Sequence, residues 1–120
     1  MKINEKNLHV YSTDFVRQNG MNVVMDDIEQ KLKIMGINHV HVSIDIDGID
    51  PTIVKGTGTK VNKGMGNGEF YTFIDRIFDT KKVRATDFVE YNPMLDDGDT
   101  STLKWCVEAI HYLGVKINQL

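Results

Sequence analysis

At 120 residues, 41% of them apolar, the chain is long enough for one domain, 1–120, that buries about two-thirds of its unfolded surface. Seventeen acidic against fourteen basic residues leave a net charge of −3, which argues against nucleic acid and anionic membranes as partners. No stretch approaches the ~20 apolar residues of a membrane span, and the polar start Met1-Lys2-Ile3-Asn4-Glu5-Lys6 is no signal peptide. A single cysteine excludes an internal disulfide, so a cytoplasmic setting is expected.

In chain order, Leu8 to Ser12 reads as a short strand and Thr13 to Gln18 as a brief helix that Gly20 ends. Val24, Ile28, Leu32 and Met35 recur at helical spacing, and Gly36 closes that helix. His39 to Ile46 alternates strictly: Val40, Val42, Ile44 and Ile46 share one face, while Ser43, Asp45 and Asp47 share the other. A glycine-rich loop follows from Gly48 to Gly68. Phe70, Phe73, Ile74, Ile77 and Phe78 then make the clearest amphipathic stripe in the chain. Val83 to Tyr91 reads as a second long strand, ending at Glu90 before Asn92-Pro93. Asp99, Thr100 or Ser101 can cap a last helix, with Leu103, Cys106, Val107, Ile110 and Leu113 toward the core. This alternation predicts parallel α/β architecture, whose ligand sites gather beyond the carboxyl ends of strands. Asp45, Asp47 and Glu90 all fall at such ends.

Aspartate is among the poorest strand formers, so a pair at the end of an apolar strand calls for a cause. The Cα atoms of Asp45 and Asp47 would lie ~6.6 Å apart at strand rise. Two ionised carboxylates at that range repel by about 2 kcal/mol at an effective dielectric near 20. A bound dication reverses that balance. The plain alternative is a strand end that simply starts a turn in solvent. A calcium loop fits poorly: with Ser43 at its first position, Val54 stands where a bidentate Glu is required. His39 and His41 begin the strand, and His41 sits ~13 Å from Asp45, so neither histidine completes the site. Cys106 lies on an apolar stripe and reads as inert core. The glycines from Gly56 to Gly68 match no phosphate-binding pattern.

The run Ser43-Ile44-Asp45-Ile46-Asp47-Gly48-Ile49-Asp50-Pro51 resembles the S-x-D-x-D-x-x-D-P signature of the ureohydrolases, the binuclear manganese arginase and agmatinase family. Gly56-Thr57-Gly58-Thr59 is similar to that family's G-x-G-T loop, and Val89-Glu90-Tyr91-Asn92-Pro93 to its E-x-N-P segment. The resemblance spans roughly residues 8 to 115 and is closest to arginase. It implies that Asp45 bridges two Mn²⁺ ions, that Asp47 binds one of them, and that Glu90 receives the substrate guanidinium. Thr59 takes the position whose hydroxyl helps hold that glutamate, and Asp50 and Pro51 shape the turn. Lys60 replaces the proline that usually follows the G-x-G-T loop, and Lys63-Gly64-Met65 replaces a G-G-L triplet.

The implied fold is part of a three-layer α/β/α arginase-like domain with a mostly parallel sheet of about three strands. The family's G-G-D-H and D-A-H-x-D segments, which supply four further metal ligands, do not occur here. The chain is therefore expected to correspond to the C-terminal portion of a ureohydrolase that hydrolyses a guanidino compound, with arginine the preferred substrate, to urea and an amine. Alone, it is expected to bind Mn²⁺ weakly or not at all and to release no urea. Completion requires a complementary N-terminal polypeptide or the rest of a longer chain, and the reading frame immediately upstream discriminates between them. Open sheet edges and the stripe led by Phe70 and Phe73 also lead to the expectation that the chain self-associates, or that its first 20 or so residues pack differently from the family. The alternative is a non-catalytic interaction or oligomerisation module of the same fold.

Overall fold

The computed structural model describes residues 7–58, 64–96, 98 and 100–120. Helix α1, Thr13–Asn19, opens where the Ser12 side chain accepts the Phe15 N–H at 3.1 Å, and it closes at Gly20. Helix α2, Met21–Ile34, follows directly and buries Met21, Val24 and Met25. It ends as the Gly36 N–H reaches the Lys33 carbonyl and the Ile37 N–H reaches that of Leu32. This Schellman closure satisfies carbonyls that the helix end leaves open. The expected stop at Gly36 is thus observed.

Strand β1, Val40–Asp45, pairs in parallel with strand β2, Val83–Val89, from Val40 opposite Val83 to Asp45 opposite Val89. The amphipathic helix α3, Asn67–Asp79, lies between them in sequence and buries Phe70, Ile74, Ile77 and Phe78. Val42, Ile44 and Ile46 join these residues in one core, as their alternation requires, while His41, Ser43 and Asp45 on the opposite face are exposed. Arg76 pins α3 to α2 by donating to Glu29, Asn22 and Asp26 at 3.1, 3.0 and 2.6 Å. Helix α4, Ser101–Asn118, closes the unit. Its Trp105 ring packs at a tilt against Phe70 and Phe88, with centroids 5.1 and 6.2 Å away, and donates Nε1–H to Asn67. None of the described helices is long and apolar enough to cross a membrane.

Three expectations need correction. Leu8 to Ser12 forms no strand, so the described sheet has two strands, not three. The Tyr11 hydroxyl donates to Asp27 and accepts from Lys31, which holds this segment against α2 instead. Alternation marks an extended chain, but a strand also needs a ladder partner. Helix α4 is rotated from the expected face: Thr102, Trp105, Cys106, Ala109 and Leu113 are buried, whereas Leu103, Val107 and Ile110 are exposed. Trp105, Cys106, Ala109 and Leu113 recur at helical spacing as a second apolar stripe, and Thr102 joins that face by accepting the Lys55 and Gly56 N–H groups. Finally, Phe70 is buried and Phe73 packs against the core, so this stripe offers little surface for self-association. Asp99, one of the caps expected for α4, lies outside the described residues.

Candidate functional site

Because β1 and β2 are parallel and Asp45 pairs with Val89, Asp45 and Glu90 emerge at the same carboxyl end of the sheet. The chain leaves β1 through a 3₁₀ turn, Ile46–Gly48, in which Asp45 Oδ1 accepts the Asp47 N–H at 2.9 Å. The Thr57 hydroxyl in turn donates to Asp47 Oδ1. Among the described residues, each carboxylate thus has one oxygen engaged and the other without a donor. Asp45 is exposed and Asp47 half-buried.

The loop carrying Thr57 is anchored on two further elements. Thr102, fully buried on α4, accepts the Lys55 and Gly56 N–H groups at 2.8 and 3.1 Å. The Gly56 carbonyl accepts the Asn92 N–H at 2.7 Å. A Cβ on Gly56 would stand 3.1 to 3.3 Å from Asn92, Tyr91 and Thr102, so a larger residue here would have to push these neighbours back by a few tenths of an ångström. The three sequence segments that carry the resemblance therefore meet through residues 55–57.

Glu90 is exposed and has φ of 75°, in the left-handed region. That conformation costs a residue with a Cβ roughly 1–2 kcal/mol. A glycine would sit there without the steric cost, yet the chain carries a carboxylate. Conformational cost of this kind clusters at functional sites.

The turn beyond Asp47 is held by Asp50. Its Oδ1 accepts the N–H and hydroxyl of Thr52 at 2.9 and 2.7 Å, and its Oδ2 lies 3.6 Å from the Arg17 guanidinium. The Thr52 bonds, with smaller help from the Gly64 N–H and Arg17, hold the Asp50 carboxyl below its ordinary range against the opposing effect of desolvation. Gly64 then runs against this turn: Asp50 N–H donates to the Met65 carbonyl at 3.0 Å and Met65 N–H to that of Gly48 at 2.8 Å. Asp50 and Pro51 accordingly make the turn.

A mostly apolar cleft of about 200 Å³ opens beside Asp45, bordered by Ser43, Ile49, Met65, Phe70 and Phe73. A larger hollow of about 490 Å³ around Glu29, Arg76 and Lys82 shares no residue with this arrangement. On the exposed sheet face, Asp87 lies opposite Ser43, accepts its hydroxyl at 2.6 Å, and stands 2.8 Å from His41 Nε2. His41 is thereby paired within the strands. Thr57 and Asp87 are polar residues that pattern reading does not single out, because their burial and partners arise only in the tertiary structure. Cys106 is buried, and desolvation pushes its thiol up to about 11.

The donor set consists of hard carboxylate oxygens, the chemistry that suits Mn²⁺, Mg²⁺ or Ca²⁺. Asp45 and Asp47 can each offer one oxygen. Among the described residues no group of three His, Cys, Asp or Glu side chains comes together to hold a metal. Thr59 lies outside the described residues.

Residues 1–114 match the sequence profile of the arginase family. Arginase from Entamoeba histolytica is 33% identical over 117 residues, an overlap covering 96% of this chain and 38% of that protein. Its structure in complex with L-ornithine superposes with a TM-score of 0.79 over 91% of this chain and 36% of that one. Bacillus caldovelox arginase gives the same TM-score and coverage at 31% identity. Proclavaminate amidino hydrolase from Streptomyces clavuligerus gives 0.70 at 31% identity, covering 85% and 34%. The chain thus spans about a third of the length of the curated relatives it matches.

Proposed function

The chain belongs to the arginase family, and from that premise we propose that it supplies Asp45, Asp47 and Glu90 to a binuclear manganese ureohydrolase. The substrate is a guanidino compound, arginine by preference, and the products are urea and an amine. The complete catalyst has the family's three-layer α/β/α frame and takes its remaining metal ligands from the part of that frame outside these 120 residues, on the same chain or on a second polypeptide. The observation that supports this reading most strongly is the convergence of the aspartate pair and Glu90 at one sheet end, joined by residues 55–57. When bound, the metal supplies a nucleophile at neutral pH and stabilises developing charge. Asp45 and Asp47 contribute the charge and oxygen donors that hold it. Glu90 orients the planar guanidinium by charge-assisted hydrogen bonds.

The test joins or mixes this chain with a polypeptide carrying the G-G-D-H and D-A-H-x-D segments and measures urea release from arginine with Mn²⁺ present. Recovered activity should vanish in Asp45→Ala. Glu90→Ala should keep its metal and lose turnover. Normal metal content and turnover in Asp45→Ala would overturn the assignment.

A further inference from the structure

We propose that Thr57 is a positioning residue for Asp47, and that residues 55–57 form a strut fixing that carboxylate relative to the Glu90 segment. The proposal deepens the metal-binding reading above and rests on it. Thr57 is 3% exposed, so its hydroxyl has lost water and must find an acceptor within the protein. Its partner is the half-buried Asp47 carboxylate, which makes the bond charge-assisted and directional.

The hydroxyl itself has little freedom. Thr57 N–H donates to the Lys55 carbonyl at 3.0 Å, tightening the loop on itself. Thr102 holds the Lys55 and Gly56 amides from α4, and Asn92 holds the Gly56 carbonyl from the segment after β2. A chain of bonds results: Asp47 N–H holds Asp45, Thr57 holds Asp47, and α4 with the Asn92 backbone holds Lys55 and Gly56, the residues that lead into Thr57. Each carboxylate is turned by one oxygen and presents the other. Loss of the hydroxyl should free the Asp47 side chain without altering ligand count or charge. Supporting bonds of this kind change metal affinity by about 10–100-fold.

The test titrates Mn²⁺ into the chain and follows paramagnetic broadening of amide signals near Asp45 and Asp47. Thr57→Val, which keeps shape and loses the hydroxyl, should weaken apparent affinity by about tenfold or more, while Thr57→Ser should restore it at a similar melting temperature. Wild-type affinity in Thr57→Val, alongside lost binding in Asp45→Ala, would overturn this proposal and leave the metal-binding reading standing. Unchanged binding in Asp45→Ala would overturn that reading instead. A readout independent of folding of the valine variant comes from the metal-free wild-type chain. There the Thr57 hydroxyl proton should exchange slowly and show an Overhauser contact to the Asp47 β protons; fast exchange with no such contact would refute the strut.

Discussion

Replacing Gly64 by alanine should destabilise the fold out of proportion to the one methyl group added. An ideal Cβ at Gly64 falls 2.3 Å from both Asp50 N and Ile49 C, and 2.6 Å from Ile49 O. All three are backbone atoms, so no side chain can swing away. The segment Gly64–Met65 must separate from the turn Gly48–Asp50, breaking the bonds from Asp50 N–H to Met65 O and from Met65 N–H to Gly48 O. Two lost backbone hydrogen bonds cost about 1–3 kcal/mol net. Overpacking of a closely fitted contact costs ~1–3 kcal/mol, and because separation relieves part of it, a total near 2–4 kcal/mol is expected. With a urea m-value of roughly 2 kcal/mol/M, the unfolding midpoint should fall by about 1–2 M. Gly114→Ala is the matched control: it lies within α4, is exposed and meets nothing within 4 Å, so better helix propensity should stabilise it by up to ~1 kcal/mol. If Gly64→Ala unfolds at the wild-type urea concentration, the close approach of the glycine loop to the aspartate turn is wrong.

Further outcomes follow from the same geometry. Glu90→Gly should be at least as stable in urea as Glu90→Ala, because glycine removes a left-handed cost of ~1–2 kcal/mol against its own entropic penalty of ~0.5–1 kcal/mol; a clearly less stable glycine variant would deny strain at this position. Asp50 has a folded pKa below its unfolded one, so its contribution to stability is present above the unfolded value of about 3.9 and is lost as pH falls through the folded value. Asp50→Asn should therefore melt below the wild type at pH 7, with the gap closing at pH values under about 4; a gap independent of pH would contradict the depressed pKa.

The sequence carried the features that depend on local patterning. Strict alternation placed Val42 and Ile44 in the core and Asp45 outside it. Glycine placement at Gly20 and Gly36 marked two helix ends. The segment containing Glu90 was found because motif spacing and the strand-end rule agree. What escaped depends on tertiary partners. Leu8 to Ser12 has the alternation of a strand, but Tyr11 is held by Asp27 and Lys31 on α2. Helix α4 offers two overlapping apolar stripes, and the one that is buried, through Trp105, Cys106, Ala109 and Leu113, also carries Thr102, whose hydroxyl receives two backbone amides that hydropathy does not register. Thr57 was passed over for the same reason: its importance lies in a bond to a residue ten positions earlier, across a loop.

The most direct measurement of the central claim is Mn²⁺ uptake by the purified chain, read from loss of the free-ion EPR signal, in wild type, Asp45→Ala and Asp47→Ala. Two carboxylates leave most coordination positions to water. Weak uptake is therefore predicted in the wild type, abolished by either substitution with the fold intact. Uptake that is unchanged when Asp45 or Asp47 is removed would contradict the account, because the metal would then bind elsewhere on the chain.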